Sequence, residues 1–499
     1  MTSQPPADAG VTRSTFLGHP RALATLSMTE MWERFSYFGM RALLALYLVA
    51  PPDGVTPPGG GLGFSRGEAT AIYGTYIALV YMFPLAGGWI ADRILGARRS
   101  VLIGGIVIAS GHFMMAVPTE LTFWLGLLSI ALGTGLLKPC MSAMVGGLYA
   151  PGDDSRRDAG FSLFYMGINI GAFLSPIVCG ALANAINWHW GFAAAGVGMT
   201  LGVIQYVAGW RHLGNVGSQP DNPASPETRK RVFVGASIGV LCFAIAVVAD
   251  SLWRGFSMAN LVDILAIVIV ALPVVYFWRL FRSRDLSDDE RSRARAYVFL
   301  FLASAMFWMI FDQAGSTLNV FAQDNTDRTI LGWQMPAPFL QAVNPLFIIL
   351  FAPVFARLWS KLGDRAPSTP VKFSLALFGI GGSFLIMIIP GTNADNGIPS
   401  AVWWLILVFL IQTWSELLLS PVGLSATTRL APRGMESQLL ALWFLSFAVG
   451  DTLGGQIANE LEDLPFGSYY AVFGGAAVVF GVVLFALSPV VRKLMRGTR

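Results

Sequence analysis

Seven ionisable side chains stand out within apolar runs long enough to cross a bilayer. They are Glu30, Glu33, Arg34 and Arg41 in 23–49, Lys138 in 121–149, Asp312 in 294–322 and Glu416 in 399–428. Each ionised group there costs a few kcal/mol unless it is paired or faces water. Glu30 and Arg34 stand four residues apart, and Glu30, Arg34, Tyr37 and Arg41 recur every three or four residues along one helical stripe. That stripe is expected to face a cavity. Four acids against three bases leave one carboxylate in excess, and a buried carboxylate in excess of its bases is a candidate proton carrier. All three bases lie in the first half of the chain and two of the acids in the second. Cross-half pairs such as Lys138 with Glu416 or Arg41 with Asp312 can therefore form and break. A lone pair would read as a device fixing helix register. Seven charges confined to a few spans point instead to a substrate or ion pathway.

Polar residues within spans add to this pattern: Tyr81, Asn169, Gln341 and Asn344. Taken singly, each reads as a helix–helix hydrogen bond. Trp308, Trp414 and Trp443, taken singly, read as packing or interfacial residues.

The elements that must position these groups follow from composition. Of 499 residues, 55% are hydrophobic and 12% charged. Soluble domains carry about 25% charged residues, so the chain reads as an all-α polytopic membrane protein. Apolar windows fall at 23–49, 68–92, 100–118, 121–149, 159–185, 188–210, 232–250, 258–281, 294–322, 336–360, 370–390, 399–428, 435–458 and 468–490. The polar N-terminus has no nearby small-residue cleavage site, so the first window reads as a retained span. With both termini placed in the cytoplasm, only Arg66, Arg254 and Arg328 fall outside, and Arg34, Arg41 and Lys138 lie within spans. The other Lys and Arg, among them Arg13, Arg93, Arg98, Arg284, Arg433 and Arg499, fall inside. This asymmetry supports fourteen spans and explains the basic balance without a nucleic-acid partner. Cys140, Cys179 and Cys242 show no paired spacing, so neither a disulfide framework nor a metal site is expected.

A Gly/Pro/Asn/Ser-rich linker at 212–231 and a charged one at 282–293 divide the chain. The expected organisation is a six-helix bundle over 1–211, linkers and two inserted helices over 212–292, and a second six-helix bundle over 293–499. Two six-helix halves suggest a duplicated transporter with its site between them near the midplane. Glycines such as Gly160, Gly167 and Gly171 suit close helix packing. The end of the second window carries Gly88, Asp92, Arg93, Gly96 and Arg98. That spacing reads either as a span end with positive-inside flanks or as the Asp/Arg loop motif of the major facilitator superfamily, which latches helices in one conformation.

Four segments, in order, resemble the proton-dependent oligopeptide transporters, a branch of that superfamily. Glu30-xx-Glu33-Arg34-Phe35-x-Tyr37 resembles the ExxERF-type signature, and Phe161 to Gly171 is similar to the FYxxINxG segment. Gln341 to Pro345 and Trp414 to Pro421 resemble the motifs of helices eight and ten, and the two-helix insert is typical of bacterial members. The resemblance implies a major facilitator fold and proton-driven uptake of di- and tripeptides by a multi-pass protein of the bacterial inner membrane. It implies no cofactor beyond the proton gradient, and function as a monomer. It implies that Arg34, Arg41 and Lys138 receive the peptide carboxylate, and that Asn169, Asn344 and Glu416 receive the amino terminus. Tyr37 joins this substrate site, Tyr81 contacts the peptide backbone, and Trp308 and Trp443 line side-chain pockets. Glu30, Glu33 and Asp312, with Arg34, couple the proton, while Lys138–Glu416 and Arg41–Asp312 serve as gate pairs.

Three departures stand out. Phe38 replaces the signature's second tyrosine, Asp312 stands where many bacterial members have Glu, and Gly74 stands where animal relatives carry a histidine. Coupling therefore rests on carboxylates. A same-fold transporter of nitrate, an amino acid or a drug is the alternative. A peptide sensor should carry a signalling domain or long tail, and no HExxH or GxSxG motif suggests an enzyme.

Overall fold

The structure, a computed structural model, describes residues 15–54, 59–150, 153–220, 222–283, 286–432 and 435–496. Arg13, Arg284, Arg433 and Arg499, counted above among the inner cations, lie outside the described residues. The helices are α1 (Arg21–Val49), α2 (Arg66–Ile90), α3 (Ala97–Met115), α4 (Glu120–Gly146), α5 (Asp154–Ala185) and α6 (Trp188–Ala208). Then come α7 (Pro226–Arg254), α8 (Met258–Arg282), α9 (Asp288–Phe311), α10 (Thr317–Asp324) and α11 (Val343–Leu362). The chain ends with α12 (Thr369–Ile386), α13 (Ile388–Asp395), α14 (Trp403–Leu430), α15 (Glu436–Glu460) and α16 (Phe466–Leu494). Every expected window coincides with a long helix. Among the described residues, 12 helical segments are long and apolar enough to cross a membrane; α1, which holds the charged stripe, and α3 fall outside that set.

Helix starts follow local chemistry. The side chains of Thr119, Asn187 and Ser257 accept from backbone N–H groups in the first turns of α4, α6 and α8. Ser287 and Glu290 form a reciprocal capping box on α9. Glycines set the closest approaches. A Cβ on Gly104 would lie 2.6 Å from the Gly133 carbonyl across α3 and α4, and one on Gly381 would lie 2.8 Å from the Gly474 carbonyl across α12 and α16.

Several windows depart from continuous α-helix, and two of them do so through 3₁₀ turns near expected site residues. The run at 294–322 breaks after Phe311 into a 3₁₀ turn, Asp312–Ala314, before α10 begins. Gly315 and Ser316 follow that turn, and the freed Ala314 carbonyl accepts from Gln341 Nε2 at 2.7 Å. A side chain thus replaces the lost helical partner, as a break at membrane depth requires. The run at 336–360 opens with a 3₁₀ turn, Ala337–Ala342, in which Pro338 stands near the start.

The chain divides into two compact units. The first comprises the chain up to Leu43, Gly54–Gly60 and Phe83–Ile245; the second comprises Leu44–Asp53, Gly61–Met82 and Ala246–Arg499. Helix α2 changes unit beside its internal Pro84. In the second unit the first turns of α2 lie against α15, where a Cβ on Gly74 would fall on the Asp451 carbonyl and one on Gly455 would lie 2.8 Å from the Thr70 carbonyl. The inserted α7 has no buried residue.

Candidate functional site

In the first unit the charged stripe is a buried ion cluster. Arg34 Nε lies 3.2 Å from Glu30 Oε1 and closer still to Glu33 Oε2. Glu30, Glu33 and Arg34 are 5%, 0% and 6% exposed. Lys138 on α4, half-buried beside Pro139, lies within electrostatic reach of Glu30. The Arg34 guanidinium sits over the Tyr37 ring at 5.4 Å, and that of Arg41 over the Phe38 ring at 5.7 Å. Phe38 therefore keeps a use for its ring where the family signature would supply a hydroxyl: it faces a cation.

Small residues on α5 and α6 hold α1 in place. A Cβ on Gly171 would fall on the Met31 carbonyl, and one on Gly167 would lie 3.0 Å from the Ser27 carbonyl. From α6, Gly198 meets Phe35 and Gly202 meets Trp32, with hypothetical Cβ distances of 2.5 and 2.8 Å. Thr29 Oγ1 donates to Gln205 Oε1 at 3.1 Å. Asn169 is buried and its amide donates to Tyr165 O, one turn back on α5, at 2.9 Å.

The loop motif has a partner that its spacing did not disclose. Asp92 and Arg93 lie in a π-helical turn, Ala91–Leu95, and Gly96 has φ of 79°, a left-handed conformation that suits glycine. Gly88 lies against Pro139 of α4, with a hypothetical Cβ at 3.5 Å. The Arg98 guanidinium, itself buried, donates to the carbonyls of Gly214 and Val216, the second at 3.2 Å. The Arg98 backbone N–H donates to Gly217 O at 2.8 Å, while Asp92 O and Arg93 O accept from Asn222 and Ala224 at 3.0 and 3.1 Å. Part of the expected linker is therefore strapped across the motif, and Arg98 holds linker carbonyls while its guanidinium also sits over the Trp210 ring at 5.2 Å, at the end of the sixth expected span.

In the second unit Asp312 caps the broken end of α9 and is buried. Beside it, Gln313 Oε1 accepts from Tyr469 Oη at 2.6 Å. Asp312 borders a cavity about the size of one water, shared with Thr70, Tyr73, Gly74, Ser316 and Asp451. Asp451 corrects the charge count. It lies within the 435–458 window on α15, is 3% exposed, and raises the excess of buried carboxylates over bases from one to two. Its signal was present in the sequence as an acid inside an apolar run.

Asn344 and Glu416, expected to act together, meet: Asn344 Nδ2 donates to Glu416 Oε2 at 3.2 Å and to Thr413 Oγ1 at 3.0 Å. Tyr81, Trp308 and Trp443 also converge, but through a ring that sequence reasoning did not single out. Phe447 lies 5.0, 4.1 and 5.3 Å from their respective centroids. Trp414 is exposed and meets Phe351 at 5.4 Å, as a packing residue does. Each expected gate pair has one member in each unit: Arg41 and Lys138 in the first, Asp312 and Glu416 in the second.

With this geometry in view, known proteins supply the frame. The family profile described as the POT family matches residues 98–472. The uncharacterized transporter YclF of Bacillus subtilis is 42% identical, covering 98% of this chain and 97% of that protein. A di-/tripeptide transporter of Lactococcus lactis subsp. lactis is 40% identical over 98% of this chain and 99% of its own length. A crystal structure of peptide transporter POT in complex with sulfate superimposes with a TM-score of 0.91 at 42% identity, covering 98% of each chain. A fold shared across both full lengths, together with the matched profile, makes this multi-span chain a member of the POT family of transporters.

Proposed function

We propose that the chain is a proton-coupled symporter that imports di- and tripeptides by alternating access across the bacterial inner membrane. The observation that carries this reading is the buried Glu30–Arg34–Glu33 cluster within reach of Lys138, in a chain of the POT family. A zwitterionic peptide needs a cationic and an anionic wall. Arg34, Arg41 and Lys138, with Tyr37, supply the first and take the carboxylate. Glu416, oriented by Asn344, supplies the second with Asn169 and takes the amine. Tyr81 meets the peptide backbone, and Trp308 and Trp443 its side chains. The names of the Lactococcus relative and of the similar crystal structure support peptides as the substrate class.

In this mechanism a proton on Asp312 releases Arg41, which then binds the peptide carboxylate. Closure follows, Lys138 and Glu416 part, and peptide and proton leave on the inner side. Glu30 and Glu33 share the coupling. Proton and peptide must favour the same transition, since a ligand shifts an equilibrium only by its differential affinity for the two states. The proton gradient is the only driver, no cofactor takes part, and one chain in its bilayer suffices. The division into six, two and six spans at 211/212 and 292/293, with both termini cytoplasmic, belongs to the same reading. The loop motif of Gly88, Asp92, Arg93, Gly96 and Arg98 governs the inner side.

The test is uptake of labelled dialanine into liposomes holding the purified protein under an imposed pH gradient. Competition by di- and tripeptides, but not by single amino acids or nitrate, is expected. Uptake that only amino acids or nitrate suppress would replace peptide with another solute.

A further inference from the structure

Residues 443, 447, 451 and 455 of α15 recur every four positions and form one helical stripe. The stripe carries Trp443, Phe447, Asp451 and Gly455, of which the last two border the Asp312 cavity. Phe447, one turn from Asp451, is 6% exposed. Its ring lies 4.1 Å from that of Trp308 with an interplanar angle of 33°, and edge-on to Tyr81 at 5.0 Å and Trp443 at 5.3 Å. Its ring is shared by three of the expected peptide-contacting aromatics, Tyr81, Trp308 and Trp443.

The neighbours are fixed from behind. A Cβ on Gly423 of α14 would overlap the Trp443 indole, so that ring already fills the space at α14. Trp308 is backed by Phe311 at 5.1 Å and Phe307 at 5.4 Å. Its indole N–H is buried and has no acceptor among the described residues. A buried donor left unmatched is unfavourable, and an arriving acceptor relieves that cost. Aromatic walls with one unmatched donor suit an apolar side chain attached to a peptide carbonyl.

We infer that Phe447 is a specificity-determining residue: its ring occupies the space beside Trp308 and Trp443 that a bulky substrate side chain would take, so the transporter favours small side chains. This inference rests on the peptide-transport reading. Removing a ring from an apolar pocket changes discrimination by more than one methylene does, and one methylene alters it about 10- to 200-fold.

The experiment is competition against labelled dialanine uptake in liposomes, with unlabelled Ala-Ala and Ala-Phe. Wild-type protein should be inhibited better by Ala-Ala. In Phe447→Ala the ratio of the two inhibition constants should move toward Ala-Phe by about 10-fold or more. Phe447→Leu, which keeps an apolar side chain for folding, should move it in the same direction by less. Phe444→Ala, at a ring 5.9 Å from Phe447, should leave the ratio in place. If Phe447→Ala is not recovered folded, Phe447→Leu decides. An unchanged ratio in folded Phe447 variants that still take up dialanine overturns the inference alone. Failure of wild-type protein to take up dialanine overturns the peptide reading and the inference with it.

Discussion

Replacing Glu30 and Glu33 by glutamine, singly and together, should give strongly non-additive losses of stability. Both carboxylates contact Arg34 Nε, Glu30 at 3.2 Å and Glu33 closer, and all three side chains are buried. Either single substitution leaves the guanidinium one carboxylate and removes one charge-assisted contact, a loss of about 1.5–3 kcal/mol. The second substitution takes away the remaining carboxylate from a buried cation, which costs about 3–5 kcal/mol. The double variant should therefore exceed the sum of the singles by about 1–3 kcal/mol. Adding Arg34→Met to the double variant removes the stranded charge and should restore most of the stability, because an apolar replacement of a buried ion cluster is often neutral. Proton-driven uptake should stay abolished in that triple variant. The assay is reversible unfolding of purified protein in mixed micelles followed by far-UV circular dichroism, paired with liposome uptake. Additive single losses, or a triple variant no more stable than the double, would refute the reasoning. A triple variant that still concentrates peptide would remove this cluster from coupling.

Other perturbations test other parts. Gly171→Ala places a Cβ on the Met31 carbonyl and should lower stability by about 1–3 kcal/mol. Gly475→Ala, which meets nothing within 4 Å, should be neutral or stabilising by up to about 1 kcal/mol by helix propensity; paired melting curves check both. Arg98→Ala removes the donors that hold Gly214 and Val216 and should speed limited proteolysis within 214–224. Unchanged cleavage there would mean that the backbone contacts suffice. Asn344→Ala removes the amide contact to Glu416 and should raise KM for dialanine by about 10-fold, the equivalent of one hydrogen bond to a charged group.

Most spans were legible because each is an apolar run long enough to cross a bilayer, and every expected window coincides with a helix, α1 and α3 included although they fall outside the apolar set. The break after Phe311 was harder to see. Hydropathy averages over Gly315 and Ser316, whereas helix continuity depends on who accepts and donates there, and Gln341 supplies the answer from a distant segment. Local ion pairing in α1 was readable, since neighbours and i,i+4 partners are fixed by helix geometry. The supports of α1 were only partly readable: Gly167 and Gly171 signalled close packing, but not that Met31 and Ser27 carbonyls lay opposite them. Asp451 was an acid in an apolar window like the others, and its importance emerged only when it bordered the same cavity as Asp312. Phe447 carried no signal as one phenylalanine in an apolar helix, because its role depends on three rings from α2, α9 and α15 meeting around it. The linker strap was hidden for a related reason: Arg98 binds backbone carbonyls, which every sequence possesses.

The central claim is that a proton on Asp312 drives peptide import, and one measurement tests it most directly. Labelled dialanine is followed in liposomes carrying wild-type protein or Asp312→Asn, with and without an inward proton gradient. Wild-type protein should accumulate peptide above the external concentration only when the gradient is present. Asp312→Asn should equilibrate or exchange peptide while failing to concentrate it. Concentrative uptake by Asp312→Asn under the same gradient would contradict the account.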